Sequence, residues 1–151
     1  MPRCFNQSFR NRKLLPGRGD NTEIDMKVGE LLIEAKLTES DFQVARPGLL
    51  TRYRDFDTVF EFDVLPKLNG TIGGYQLIRG ALAAYALGNA FCVCCDARRS
   101  DLIEDWFRVL RAVRQYELKT RLKILTWQEL ANVLPAKLQR FLDLKYGIVK
   151  S

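Results

Sequence analysis

The chain has 151 residues, 47% of them hydrophobic, no histidine and a formal net charge of +6. That length supports one domain with a buried core and is short for two. The absence of histidine excludes Ser-His-Asp and Cys-His catalysis, His-Cys zinc fingers and a histidine general base. The basic balance favours an anionic partner, nucleic acid before an acidic membrane surface. Cys4, Cys92, Cys94 and Cys95 have neither zinc-ligand spacing nor an evident disulfide partner set, and read as buried free thiols in a reducing cytosol. Met1 to Phe9 lacks the apolar core of a signal peptide, so a cytoplasmic location is expected. Gly80 to Cys95 is the longest weakly polar run and falls short of the ~20 residues of a spanning helix, so no membrane partner is expected.

Residues 1–21 read as a basic arm, carrying Arg3, Arg10, Arg12, Lys13 and Arg18 and breaking at Pro16-Gly17-Arg18-Gly19. The next stretch, Thr22 to Lys36, alternates apolar and charged residues with the period of a sheet that has one buried and one polar face. With Val28-Gly29 as a two-residue loop, Asp25 falls opposite Leu32 and Glu23 opposite Glu34. Glu23, Asp25, Glu34 and Lys36 then project from one face. Three carboxylates converging in this way repel unless neutralised, and hard oxygen donors suit Mg²⁺ or a similar ion, with Lys36 beside them to hold a water. The same pattern also describes a solvated hairpin face.

Leu37 to Gly48 reads as loop with a helical turn, and Leu49 to Leu65 as an amphipathic helix ending before Pro66. Asn69 to Gly74 is a glycine-rich connection before a helix over Tyr75 to Leu87, whose first turn presents Gln76 and Arg79 on one face. Phe91 to Cys95 is a continuous apolar run, expected as a central strand buried on both sides. Arg98 and Arg99 follow it and open a locally basic half, with Arg79 the candidates for contact with phosphate. A helix is expected from Ser100 to about Tyr116, and a buried strand over Leu122 to Thr126. Thr126 and Glu129 form a capping box for a helix whose Leu130, Val133 and Leu134 face the core. After Pro135 comes a last amphipathic helix, Ala136 to Lys145, with Leu138, Phe141, Leu142 and Tyr146 on its apolar side. The element order gives an α/β fold, a mixed sheet with a β-hairpin, flanked by helices.

Asp25, a short turn, and an apolar strand ending in Glu34-Ala35-Lys36 resemble the PD-(D/E)XK nuclease superfamily. The wider chain, with RYRDF, YQLIRGALAAY, DARRSDLIEDW, LTWQEL and KYGI, is similar to an uncharacterised bacterial family of restriction endonucleases. The resemblance implies a restriction-endonuclease-like core over residues 22–151. It implies that Asp25 and Glu34 bind Mg²⁺, with Mn²⁺ as substitute, that Lys36 assists the attacking water, and that Glu23 and Gln76 are auxiliary groups. The implied partner is DNA, with a second copy of the chain where both strands are cut. Related nucleases place a helix and a further strand before the hairpin, and little chain precedes Thr22 for both.

Three functions follow from these observations: a metal-dependent DNA phosphodiester hydrolase, a catalytically weak nucleic-acid-binding domain on the same fold, and a basic protein-interaction domain. Metal-dependent cleavage separates the first from the others, and salt-sensitive DNA binding separates the second from the third.

Overall fold

The computed structural model describes the backbone of residues 7–11 and 20–23 and all of residues 24–151. The arginine-rich positions 3, 12, 13 and 18 and Cys4 lie outside the described residues, as do the side chains of Arg10 and Glu23. Within the stretch read as a basic arm, strand β1 (Gln7–Asn11) pairs antiparallel with β2 (Asp20–Ile24).

The central sheet has four strands in the order β3 (Met26–Val28), β4 (Leu31–Ala35), β8 (Ala90–Cys95), β9 (Leu122–Thr126). β3 and β4 form an antiparallel hairpin, while β4, β8 and β9 run parallel. Parallel strands need crossover connections, and helices supply them. Helix α3 (Tyr75–Leu87) lies between β4 and β8 in the chain, and α4 (Ser100–Ala112) and α5 (Tyr116–Arg121) lie between β8 and β9. α6 (Trp127–Ala131) and α7 (Ala136–Tyr146) complete the chain. This is the mixed, helix-flanked α/β arrangement that the element order predicts.

β8 is the axis of the core: Phe91, Cys92, Val93, Cys94 and Cys95 are all buried. The three thiols are free, and burial pushes Cys95 up to about 11 and Cys94 up to about 12, so they stay protonated and inert. β9 is an edge strand, and Ile124, Leu125 and Thr126 are only half-buried because β8 is its single neighbour. The capping box at Thr126 and Glu129 forms as expected. In α6, Ala131 takes the buried position, leaving Leu130 and Leu134 half-buried, while Val133 is 79% exposed. Of the apolar side of α7 only Leu142 is buried, packing with Ala131 and Ile148 in a small satellite cluster. Among the described residues no helix is long and apolar enough to cross a membrane.

Three expectations are corrected. The hairpin turns at Gly29-Glu30, one residue later than Val28-Gly29, because Gly29 takes the left-handed position at φ +57. The helix expected over Leu49 to Leu65 is instead two short helices, α1 (Pro47–Leu50) and α2 (Phe56–Val59), and a 3₁₀ turn at Phe62–Val64. Its three- and four-residue periodicity, through Leu49, Tyr53, Phe56, Phe60 and Val64, holds only in the middle: Tyr53, Phe56 and Phe60 are buried, while Leu49 and Val64 are exposed and Leu50 and Val59 are buried outside the pattern. The backbone goes elsewhere: Glu61 donates to Ala112 O at 2.7 Å, Arg114 donates to Val59 O at 2.8 Å, and Phe60 bridges Val113. That bridge takes the hydrogen bonds a continuous helix would use, and it also ends α4 at Ala112, short of Tyr116. The third correction is the glycine-rich connection, which is a hairpin of β6 (Lys67–Leu68) and β7 (Thr71–Gly73) joined to β5 (Val44–Ala45). Asn69 and Gly70 both have positive φ, the requirement of a tight two-residue hairpin turn.

Gly80, in the middle of α3, lets the helix sit directly on the Phe91 ring, which a Cβ at residue 80 would overlap. Gly80→Ala should gain up to about 1 kcal/mol of helix propensity but lose about 1–3 kcal/mol to overpacking. The net expectation is a lower midpoint in denaturant titration.

Candidate active site

The three residues of Glu34-Ala35-Lys36 end β4 beside the carboxyl end of β8, where Ala35 pairs with Cys94 and the Lys36 amide donates to Cys94 O at 2.8 Å. Ligands of open α/β sheets gather outside the carboxyl ends of parallel strands. Asp25 reaches the same place from the other side. The β3–β4 ladder stops at Met26 and Ile33, the chain bends at Asp25 to enter β2, and the Ala35 amide beyond the ladder donates to Asp25 Oδ2 at 2.8 Å. Extending that register by one residue sets Asp25, and not Glu23, opposite Glu34.

Lys36 is 4% exposed and Glu34 is 6% exposed. The Lys36 ammonium lies 3.2 Å from Glu34 Oε1 and donates to Gln76 Oε1 at 2.8 Å, with the Phe42 ring beneath it. Gln76 comes from the first turn of α3. That turn is fixed where the Tyr75 amide donates to Gln43 O and the Gln76 amide to Phe42 O, each at 3.0 Å. Asp25, Glu34, Lys36 and Gln76 therefore line one cleft. Arg79 lines its inner side with Asp25, Glu34, Gln43 and Gln76, its guanidinium over the Tyr75 ring.

Arg98 and Arg99 do not line the cleft. Arg98 grips Asp96 with Nε at 3.0 Å from both carboxylate oxygens and donates to Tyr146 O, tying the end of β8 to the end of α7. Arg99 pairs with Asp101 and donates to Glu39 O at 3.1 Å and Ser40 O at 2.6 Å. It thereby holds the loop of Glu39, Ser40 and Asp41, which forms the outer wall of the cleft. This wall and Gln43 fall in a stretch that reads from sequence only as loop. Asp41 before Gln43 is a turn signal, and no pattern there marks a site.

The electrostatics set Glu34 apart. Burial first, and then the charge of Asp25, push its carboxyl above the ordinary glutamate range, against the opposing pull of Lys36. Glu39 moves the other way: burial acts against its charge, but the amides of Leu37 and Thr38 donate to its carboxylate and hold it below the usual range. Among the described residues no group of three His, Cys, Asp or Glu side chains gathers as a ready metal cage. Asp25 and Glu34 do fit a hard divalent ion of the Mg²⁺ kind. That ion is commonly held by one or two carboxylates with water and phosphate completing its shell, and it would offset the burial and the Asp25 repulsion that together raise Glu34.

The sheet order and the cleft at its carboxyl edge define a restriction-endonuclease-like α/β core. The family model described as REase-ARP, restriction endonuclease associating with ARP, matches residues 4–147, and the chain belongs to that family. No curated protein and no solved structure matches it.

The raised Glu34 value carries a pH signature. A carboxyl whose folded-state pKa exceeds its unfolded one contributes stability that is fully present below the unfolded value and is lost as pH rises through the folded value. Thermal melts of the metal-free protein from about pH 4 to about pH 8 should show that loss. Glu34→Gln should remove the component.

Proposed function

We propose that this protein is a Mg²⁺-dependent DNA phosphodiester hydrolase of the PD-(D/E)XK type. The observation that carries the reading is the buried Lys36 ammonium, held between Glu34 and Gln76 at the edge of a cleft that Asp25 also lines. An ammonium has three donors, and these two acceptors fix its direction while leaving capacity for a water or a phosphate oxygen. Burial keeps Lys36 from wandering, so its charge is aimed before substrate arrives.

Asp25 and Glu34 would hold Mg²⁺ or Mn²⁺, with Glu23 as a further candidate ligand. The ion, when bound, supplies Lewis-acid stabilisation of the charge that develops on the phosphate. Lys36 orients the attacking water and offsets that charge. Gln76 fixes Lys36 and does not itself titrate, so the lysine stays aligned as Glu34 changes its charge. Arg79, on the inner side of the cleft, meets a phosphate oxygen of the DNA strand. Arg98 and Arg99 serve the same binding less directly, Arg99 by holding the cleft wall.

Incubation with supercoiled, linear and single-stranded DNA in Mg²⁺, Mn²⁺ or EDTA tests this reading. Cleavage should require the metal. Lys36→Ala, Glu34→Ala and Asp25→Asn should each lower the rate by about a hundredfold or more while DNA affinity stays close to that of the parent. Wild-type rates in these variants would move the activity to another site.

A further inference from the structure

Gln43 stands out among the described residues for its backbone. It has φ +61, in the left-handed region that glycine, asparagine and aspartate enter readily and glutamine does not. The other described non-glycine residue with positive φ is Asn69, whose side chain and turn position suit that conformation. Gln43 is held there from both sides. Its amide donates to Asp41 Oδ1 at 2.7 Å, its carbonyl accepts from the Tyr75 amide at 3.0 Å, and the next residue, Val44, enters β5 opposite Gly73. The backbone work of this position, accepting from the first turn of α3, needs no side chain at all. Glycine would perform it with less strain.

The side chain is what distinguishes glutamine from glycine there, and Gln43 lines the cleft. Gln43 borders both the inner side, with Arg79 and Gln76, and the outer side, with Lys36, Glu39 and Asp41. Its carboxamide makes no hydrogen bond with the described residues, and Gln43 is an exposed residue that lines the cleft together with Asp25 and Glu34. A neutral donor is the group such a place can use. Its NH₂ can meet a non-bridging phosphate oxygen without adding a charge beside two carboxylates, and its carbonyl remains free for a second contact. Backbone strain of this kind persists where the surrounding structure over-determines it, and it collects at ligand-binding positions.

We propose that Gln43 is a substrate-binding residue, whose carboxamide donates to a phosphate oxygen of the nucleic-acid strand lying across the cleft. This rests on the hydrolase reading above. The test compares Gln43→Gly and Gln43→Glu with the wild type in Mg²⁺-dependent DNA cleavage and in thermal melting. Gln43→Gly should melt at or above the wild-type temperature, because it relieves the positive φ, and its kcat/KM should fall about tenfold through KM. Gln43→Glu keeps the length and backbone cost but replaces a donor with a negative acceptor, so it should melt near wild type and cleave less well than Gln43→Gly. A Gln43→Gly protein that cleaves with wild-type kcat/KM, or that melts well below wild type, overturns the assignment of Gln43 and leaves the hydrolase reading standing. A wild-type protein that does not cut in Mg²⁺ or Mn²⁺ overturns the hydrolase reading, and the role of Gln43 falls with it.

Discussion

The burial of one ammonium group organises the cleft. Lys36 lies at 4% exposure, and a charge removed from water is tolerated only with partners in good geometry. Glu34 and Gln76 are those partners, and they come from different elements, so the ammonium requires the end of β4 and the start of α3 to meet. The start of α3 is in turn set by the carbonyls of Phe42 and Gln43, and its middle by the close seat of Gly80 on Phe91. Buried ion pairs are poor sources of net stability, since desolvation offsets most of the attraction. Hydrophobic packing around β8 does the stabilising, and the ion pair converts that packing into a fixed direction for one charge.

This division explains what was legible in the sequence. Tyr75–Leu87, Ala90–Cys95 and Leu122–Thr126 are elements whose own pattern agrees with their setting, and they form almost where the pattern predicts. Leu49 to Leu65 has the periodicity of a helix and buries the middle of that pattern, Tyr53, Phe56 and Phe60, but not its ends, Leu49 and Val64. A single bridge between Phe60 and Val113 nevertheless takes its backbone hydrogen bonds. Periodicity reports which side chains are buried, and long-range backbone pairing decides the conformation that buries them. The Asn69-Gly70 hairpin was written plainly in the sequence and is obscured by the further glycines at 73 and 74.

The hairpin shows why residues of one cleft can be grouped from an imperfect register. Centring the turn on Val28-Gly29 instead of Gly29-Glu30 shifts each cross-strand partner by two residues: Lys27 faces Leu32, where the earlier loop sets it against Glu30. Side chains alternate with a period of two, so an even shift exchanges partners while leaving each residue on its face. Asp25 and Glu34 share a face under either register, but only the observed one carries the bend that turns the Asp25 carboxylate onto the Ala35 amide. The roles of Arg98 and Arg99 could not be read in this way. Besides the neighbouring Asp96 and Asp101, their partners are the carbonyls of Tyr146, Glu39 and Ser40, which are distant in sequence, and a basic pair after a strand looks the same whether it meets phosphate or carbonyl.

Two carboxylates at the same edge of the sheet show how environment separates an occupied side chain from an available one. Asp96 follows β8 and is nearly as secluded as Glu34, at 9% exposure against 6%. Its oxygens are occupied by the Arg98 guanidinium, by the Gln128 amide and by the Arg98 backbone, and the Arg98 hydrogen bonds hold its carboxyl far below the usual range. Nothing is left for a ligand to satisfy, so Asp96 fastens β8 to α6 and α7. Glu34 has the opposite balance: one cation beside it, another carboxylate facing the same cleft, and a carboxyl pushed upward by burial. A carboxylate kept short of positive charge gains most from a cation that arrives with the substrate, which is the condition a metal-assisted site needs and a structural salt bridge avoids.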